Sequence, residues 1–511
     1  MLGESRFLVL LFTFLGFCLR LAHVVVVSPF VDEYISIWAA RKILEQGIPL
    51  LAAGTIYDHG LLFSYLDALF LGLLGMSETV ARFPTLLVST LTIPLAFLLG
   101  RRLLSPGAGL LAALLLALDP EAIVWGGRAR MYPLLQFFVL LAILFFYEGD
   151  IDPQRMDSSS KHVILYHYLF VLSYLGALLS QAVATLLFPL FVLLALWRRG
   201  LRWFRRPVIF FGFSLCFLGI ALQFLFDRMG PPAMTKVGVL TFVIRHRPFI
   251  DPSVDIQGLM KSLQPFLNLP YLPFTIVFLA GFLYLVWSFR PFVLFPTSQK
   301  PGMVFLYLLF MGVMLEIFLL VGESWKSPRF IFMLTPVFFA AAGAWLDRVI
   351  RWVAKWLKSP RAEPVFNHLL LVFLLLFLLP PARVAATKQT WGYDLAFRYV
   401  RDHRQPRDLV MTINLGACAF YFGSCDFLAV ERGFEGYVVN KDGVWVEGWG
   451  ETPILDSVEQ MQEVLEGKER VWFVVDGWRF RDRYTPAFRA LVEERMKLVF
   501  EARGVLVFVN G

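Results

Sequence analysis

Two adjacent acidic residues, Asp32 and Glu33, follow the first long hydrophobic run of the chain. A hydrophobic segment that only anchors a protein needs no carboxylate pair at its end. At the membrane surface, a carboxylate can act as a general base where a lipid-borne phosphate or sugar meets an acceptor from water. Neighbouring residues on a helix point about 100° apart, so we expect the two carboxylates to have different roles. The alternative is that the pair only begins a solvated loop.

The composition predicts a protein that crosses a membrane many times. Of the 511 residues, 58% are hydrophobic and only 17% are charged, which is too apolar for a water-soluble domain. The first run, 6–27, is too long for a signal-peptide core and lacks a small-residue cleavage site, so we interpret it as a retained span. A crossing takes about 20 apolar residues. The predicted spans are 6–27, 79–99, 106–124, 131–147, 163–178, 181–197, 208–226, 273–289, 303–322, 331–346 and 366–380.

The distribution of charge predicts the orientation in the membrane. The net charge of +8 comes from short basic loops, as the positive-inside rule expects, and does not indicate nucleic-acid binding. The short run 61–75 is interpreted as an amphipathic interfacial helix, because only then do all basic loops share one side. The amino terminus is then cytoplasmic, and about eleven crossings leave the carboxyl terminus outside. Loops 28–78 and 227–272 lie on the outer face.

The composition changes after Pro381, which we take as the end of a membrane module, 1–381. Residues 382–511 are predicted to form a small extracytoplasmic α/β domain, with Asp476-Gly477 as a turn. Cys418 and Cys425 can form a disulfide if this domain is extracytoplasmic. Alternation and periodicity predict strands at 408–413, 427–430, 471–475, 498–502 and 505–509 and helices at 391–403, 456–466 and 485–496.

Three arginines, Arg82, Arg130 and Arg329, are predicted to face outward near membrane depth. A guanidinium there can bind a phosphate in a bidentate manner and stabilise its charge as a bond breaks. The alternative is that each arginine extends toward lipid headgroups. His59, just before the interfacial helix, is a further candidate, against the alternative of a structural or solvated histidine.

Four stretches carry a resemblance to a known family: 32–44 (DEYISIWAARKIL), 81–84 (ARFP), 129–134 (ARMYPL) and 327–330 (SPRF). Together they resemble the polyprenyl-phosphate-sugar glycosyltransferases of the GT-C fold. The nearest groups are the dolichyl-phosphate-mannose protein mannosyltransferases and the bacterial aminoarabinose–lipid A transferases. The first stretch is similar to the acidic first-loop motif of that family and is the most specific of the four.

The resemblance implies roles for individual residues. The first-loop aspartate of the family is its catalytic base and corresponds to Asp32, while Arg329 and Arg130 are the best matches for residues that bind the lipid phosphate. An interfacial helix after the first loop is also a family feature. The chain departs from the family pattern at Asp58-His59-Gly60-Leu61, where Lys/His-Pro-Pro-Leu is usual, and at Phe330, where a tyrosine is usual.

The prediction is therefore an inverting glycosyltransferase in the cell membrane. It would use a polyprenyl-phosphate monosaccharide as donor and a protein, lipid or glycan as acceptor. No cofactor follows from these residues, and a divalent metal held by the second carboxylate is left open. The alternatives are a membrane transporter or flippase partner, which would place its polar residues near the midplane, and an oligosaccharide ligase or polymerase with a larger donor.

Overall fold

The computed structural model describes residues 2–51, 56–152, 161–226, 233–234, 240–241, 255–288, 301–322, 326–359, 362–434, 438–441 and 443–511. The helices of the first 387 residues are α1 (Leu2–Val26), α2 (Val31–Gln46), α3 (Leu61–Leu74), α4 (Glu78–Ala81), α5 (Phe83–Leu103), α6 (Pro106–Leu118), α7 (Pro120–Gly126), α8 (Tyr132–Phe146), α9 (Lys161–Ser180), α10 (Leu187–Arg199), α11 (Leu201–Phe204), α12 (Pro207–Phe226), α13 (Ile256–Leu267), α14 (Leu272–Ser288), α15 (Pro301–Leu320), α16 (Pro328–Ile331), α17 (Thr335–Trp356) and α18 (Ala362–Thr387).

The remaining elements form the carboxyl-terminal domain, apart from two short paired strands, β1 (Ala233–Met234) and β2 (Leu240–Thr241). Its helices are α19 (Tyr393–His403), α20 (Leu415–Phe422), α21 (Val458–Leu465), α22 (Gly477–Asp482) and α23 (Pro486–Arg495). Its strands are β3 (Leu409–Thr412), β4 (Phe427–Ala429), β5 (Val438–Lys441), β6 (Val444–Glu447), β7 (Ile454–Leu455), β8 (Val471–Asp476), β9 (Lys497–Ala502) and β10 (Val505–Val509).

The predicted polytopic helical module is confirmed. In the described part of the chain, nine helices are long and apolar enough to cross a membrane, or eleven if each of two bent pairs counts as one crossing. α3 has only 14 residues, which is too short for a crossing and fits the interfacial helix predicted at 61–75. It begins after Gly60, whose positive φ of 75° favours glycine.

The predicted span 106–124 is a bent pair instead of one helix. α6 and α7 meet at an angle of 60°. Pro120 has no backbone N–H to continue α6, and the carboxylate of Asp119 accepts hydrogen bonds from the N–H groups of Glu121 and Ala122, both at 3.2 Å. Arg128 and Arg130 lie in the turn that follows α7.

A second elbow lies in the predicted outer loop 227–272. α13 and α14 meet at 109°, so the span predicted at 273–289 is preceded by a separate amphipathic helix. The side chain of Asp255 caps α13 by accepting from the N–H of Gly258 at 3.0 Å. Arg245, His246 and Arg247 of this loop lie outside the described residues.

α18 continues to Thr387, six residues past the boundary predicted at Pro381. Packing holds the extra turns: Ala382, Ala385 and Ala386 are buried, and the ring of His23 donates to the carbonyl of Ala385 at 2.9 Å. These contacts with α1 outweigh the hydrogen bonds that the two prolines remove.

The carboxyl-terminal domain is the predicted α/β unit. Its sheet has the order β7-β4-β3-β8-β10-β9. The first four strands are parallel to one another, β10 is antiparallel to β8, and β9 is antiparallel to β10. The sequence missed α20 and the β5–β6 hairpin. Asp476-Gly477 is not a simple turn, because Asp476 ends β8 and caps α22 by accepting from the N–H of Arg479 at 2.8 Å. Cys418 and Cys425 form a disulfide.

Candidate active site

α2 presents its two acidic residues to different surroundings. The helix begins after Phe30 and ends at Gly47, which has a left-handed φ of 82°. Asp32 and Glu33 lie in its first turn, where the helix dipole favours negative charge. Asp32 is one third exposed, whereas Glu33 is fully buried.

Glu33 forms a closed pair with Arg82. The guanidinium donates from Nε to Oε2 at 2.7 Å and from Nη2 to Oε1 at 2.9 Å. The carboxylate also accepts from the backbone N–H groups of Phe30 (2.7 Å) and Ala129 (2.8 Å). The remaining Nη1 of Arg82 donates to the carbonyls at the end of α1, those of Val24 and Val27.

This pair bears on two sequence predictions, Glu33 as a catalytic residue and Arg82 as a phosphate-binding residue. Burial alone would raise the pKa of Glu33, but Arg82 and the backbone donors outweigh burial and lower it, so the carboxylate is charged. Glu33 has no oxygen left for a substrate proton or a metal ion, and Arg82 has no edge left for a phosphate. The hydrogen bonds of this pair hold α1, α2, the start of α5 and the turn after α7 together.

Asp32 lies near two guanidinium groups but is not hydrogen-bonded to either of them. Oδ2 of Asp32 lies 3.9 Å from Nη1 of Arg329 and 4.0 Å from Nη2 of Arg130. Both separations exceed hydrogen-bond length, so the carboxylate keeps its lone pairs. The structure therefore brings these three residues together at the first turn of α2.

Arg130 is held in place by neutral oxygens. Its Nη1 donates to the carbonyl of Asp32 (3.0 Å), the hydroxyl of Ser36 (3.0 Å) and the hydroxyl of Tyr57 (3.4 Å). Burial would lower the pKa of Arg130, but Tyr57 and Asp32 raise it above the ordinary value, so the cation is retained. Sequence reasoning missed Ser36 and Tyr57, although Ser36 lies one helical turn after Asp32.

Arg329 lies in α16 and is the more accessible cation. Its side chain is 37% exposed, and its guanidinium carbon lies 4.9 Å from the centre of the Phe330 ring. The Nε atoms of Arg329 and Arg130 are buried and have no hydrogen-bond partner among the described residues. Both side chains can therefore donate to a ligand.

His59 lies beside Asp58 and Tyr57. Its Nδ1 lies 3.4 Å from a carboxylate oxygen of Asp58, and its ring packs edge-on against Tyr57 at 5.6 Å between centres. Tyr57 also contacts Arg130, so His59 packs against a side chain that belongs to the site. Its predicted contact with a donor phosphate stays a prediction.

Two cavities are lined by residues of the site or by their neighbours in the chain. One, of about 350 Å³, lies between α2 and the carboxyl-terminal domain and is lined by Asp32 itself. The other, of about 760 Å³, lies between α7, the α13–α14 elbow and the end of α18, and it is lined by Arg128 and Pro328. Arg128 and Pro328 lie within two residues of Arg130 and Arg329 in the chain, which links the residues of the site to both cavities. We call them the domain-side and membrane-side cavities.

Arg128 is a residue that sequence reasoning did not select. Its guanidinium carbon lies 4.5 Å from the centre of the Phe30 ring and 5.2 Å from that of Trp125. Its position two residues before Arg130 was the available signal. No group of three or more histidine, cysteine, aspartate or glutamate side chains that could hold a metal ion is found in the described ranges.

The comparisons with known proteins agree with this architecture. Residues 58–225 match the family described as dolichyl-phosphate-mannose-protein mannosyltransferase. No curated protein sequence matches the chain. ArnT from Cupriavidus metallidurans bound to undecaprenyl phosphate superimposes with a TM-score of 0.64 and 17% identity, covering 100% of this chain and 98% of that one. Its apo state gives 0.62 and 15%, covering 99% and 98%.

A second enzyme of different kind shares the fold. The oligosaccharyltransferase AglB from Archaeoglobus fulgidus, in complex with an inhibitory peptide and a dolichol-phosphate, gives a TM-score of 0.60 at 12% identity. The match covers 99% of this chain and 74% of that one. The resemblance and the fold class predicted from the sequence are thus confirmed: the chain has the GT-C fold.

Proposed function

We propose that this protein transfers a monosaccharide from a polyprenyl-phosphate donor to an acceptor at the outer face of the membrane, with inversion at the anomeric carbon. The observation that carries the proposal is Asp32. It is a partly exposed carboxylate with two guanidinium groups about 4 Å away, and it lines the cavity between α2 and the carboxyl-terminal domain. A base beside two cations is the arrangement that sugar transfer from a phosphate requires.

In the proposed reaction the lipid donor occupies the membrane-side cavity and the acceptor occupies the domain-side cavity. Asp32 takes the proton of the acceptor hydroxyl, whose oxygen attacks the anomeric carbon. The bond from that carbon to the phosphate oxygen breaks, and its electron pair leaves with the polyprenyl phosphate. Arg329 and Arg130 stabilise the negative charge on the departing phosphate. Attack opposite the leaving group inverts the configuration.

Two solved proteins of this fold support a lipid-phosphate donor. One holds undecaprenyl phosphate and the other a dolichol-phosphate. The arginines of the site carry the charge stabilisation in this proposal, because the second carboxylate, Glu33, is occupied by Arg82 and backbone N–H groups.

The outer-face orientation is supported by the disulfide. Cys418 and Cys425 are joined within the domain that covers Asp32, and disulfides persist in oxidising compartments outside the cytoplasm. The basic loops at the other end of the helices fit a cytoplasmic location under the positive-inside rule. The disulfide and the basic loops both support an outer location for the carboxyl-terminal domain and Asp32.

The test is turnover of radiolabelled polyprenyl-phosphate hexoses by the purified protein, as wild type, Asp32→Asn and Glu45→Gln. Glu45 is the control because it lies on the same helix and is exposed. We expect Asp32→Asn to lower label release about 10²–10⁴-fold without changing thermal unfolding, because a general base contributes that much. Wild-type release by Asp32→Asn would reject the base. No release by folded wild type from any donor would favour the transporter alternative.

A further inference from the structure

The carboxyl ends of the parallel strands in the carboxyl-terminal sheet lie toward α2. The residues that follow its parallel strands line the domain-side cavity: Asn414 comes after β3, Arg432 after β4 and Arg479 after β8. In the sheet, β4 lies on one side of β3 and β8 on the other, so the connections diverge at β3. In open α/β sheets a ligand crevice forms outside the carboxyl ends of the strands at this point. Here Asp32 of α2 also lines that crevice.

Helix α20, which carries part of the crevice lining, packs closely against α2. A Cβ at Gly416 would lie 3.1 Å from the Cβ of Tyr34, so glycine permits the close approach of the two helices. Tyr34 is fully buried, and its hydroxyl donates to Glu78 at 2.8 Å. Arg398 of α19 donates to the other oxygen of Glu78 at 2.6 Å. The domain is therefore anchored to the helix that carries Asp32.

Two buried donors face the domain-side cavity without partners. Asn414 is 7% exposed; its Oδ1 accepts from the N–H of Ala417, and its Nδ2 has no hydrogen-bond partner in the described part of the protein. The same holds for Nε1 of Trp449, whose ring packs edge-on against Tyr57 at 5.7 Å between centres. Buried donors without partners are unfavourable. Both are ready for a ligand that brings hydrogen-bond acceptors.

Cations outnumber anions around the cavity. Arg432, Arg479 and Arg483 all line it. Arg479 pairs with Asp476 at 3.0 Å and Arg483 with Asp482 at 3.3 Å. Arg432 is exposed and forms no ion pair among the residues that the structure describes.

Glu447 also lines the cavity, and its negative charge is weakened. Burial raises the pKa of this carboxyl group to about 7, although the backbone N–H of Gly450 donates to it at 2.9 Å. A half-neutral carboxyl opposes an anionic ligand less than a fully charged one. The cavity is thus richer in donors and positive charge than in acceptors.

We infer that this crevice of the carboxyl-terminal domain is the acceptor site and that it takes an anionic saccharide. Asn414 and Trp449 donate to the hydroxyl and ring oxygens of the sugar, and Arg432 pairs with its phosphate or carboxylate. A hydroxyl of the same sugar then reaches Asp32. The inference rests on the proposed function, because it assigns the acceptor of that reaction.

The experiment measures binding of three small sugars to the full-length protein in lipid nanodiscs by saturation-transfer NMR. The probes are glucose 1-phosphate, glucuronate and uncharged glucose, with no donor present. We expect at least one anionic probe to bind about 10-fold more tightly than glucose, because a hydrogen bond to a charged group contributes this much. Tighter binding of glucose 1-phosphate assigns a phosphate, and tighter binding of glucuronate assigns a carboxylate.

Three variants locate the binding. Arg432→Gln is expected to reduce the affinity of the preferred anion to that of glucose, and Trp449→Phe is expected to weaken both anionic and neutral probes. Arg481→Gln is the matched control, since Arg481 is an exposed arginine of α22 that does not line the cavity. Equal binding of all three probes, or unchanged binding in Arg432→Gln, would overturn the inference. Asp32-dependent release of label from the donor would still support the transferase in that case.

Discussion

Two acid–arginine clusters lie one residue apart on α2 and differ in almost every physical respect. The closed cluster, Glu33 and Arg82, is buried, bidentate and saturated with backbone hydrogen bonds. The open cluster, Asp32 with Arg130 and Arg329, is partly exposed, and its charges stay about 4 Å apart. A saturated pair holds helices together, whereas an unsaturated one can exchange a proton and bind an anion. The two clusters cannot be told apart from residue type and sequence position alone.

The largest effect on stability is expected at the closed cluster. Glu33→Gln leaves the guanidinium of Arg82 buried without a counter-charge, and removing one partner of such a pair costs about 3–5 kcal/mol in the free energy of unfolding. Thermal unfolding of the detergent-solubilised protein would measure the loss, with Glu45→Gln as the exposed control. A wild-type melting temperature for Glu33→Gln would place Glu33 in the open cluster instead.

The next effect concerns donor binding at the open cluster. Arg329→Gln removes a charge that can donate to the donor phosphate, which corresponds to a loss of about 10–100-fold in affinity for a polyprenyl phosphate. Arg383→Gln serves as control, because Arg383 is exposed near the end of α18 and lines neither cavity. Equal affinities in the two variants would remove Arg329 from the phosphate site.

The smallest effect on turnover is expected for a residue that only orients a member of the open cluster. Tyr57→Phe removes one hydroxyl, 3.4 Å from Nη1 of Arg130, while the contacts to Ser36 and the Asp32 carbonyl remain. We expect turnover to fall about 2–10-fold, the contribution of one ordinary hydrogen bond, with unchanged unfolding. Steady-state turnover at saturating donor would measure it. A loss as large as that in Asp32→Asn would show that the tyrosine takes part directly.

The fold was largely predictable because its signals are local. Apolar length predicts the crossings, the short run before Gly75 predicts α3, and alternation predicts most of the sheet. The errors arise where tertiary contacts override local rules. α18 continues past Pro381 because its last turns pack on α1, and the span at 106–124 bends where Asp119 caps a new helix at Pro120.

The site was predictable only in part. Sequence reasoning selected Asp32, Arg130 and Arg329, which the structure brings together, and it also selected Glu33 and Arg82, which pair with each other. Nothing local distinguishes these sets, because the distinction depends on which face of α2 is covered by α5 and the turn after α7. The domain-side cavity could not be predicted from the sequence either, because its residues come from chain segments about 400 positions apart.

The most direct test of the account compares Asp32→Asn with Glu33→Gln in one assay that measures both the folded fraction and label release per folded molecule. The account predicts that Asp32→Asn is fully folded and inactive, whereas Glu33→Gln yields less folded protein that keeps most of its turnover per folded molecule. The reverse result, a folded and inactive Glu33→Gln beside an active Asp32→Asn, would contradict it.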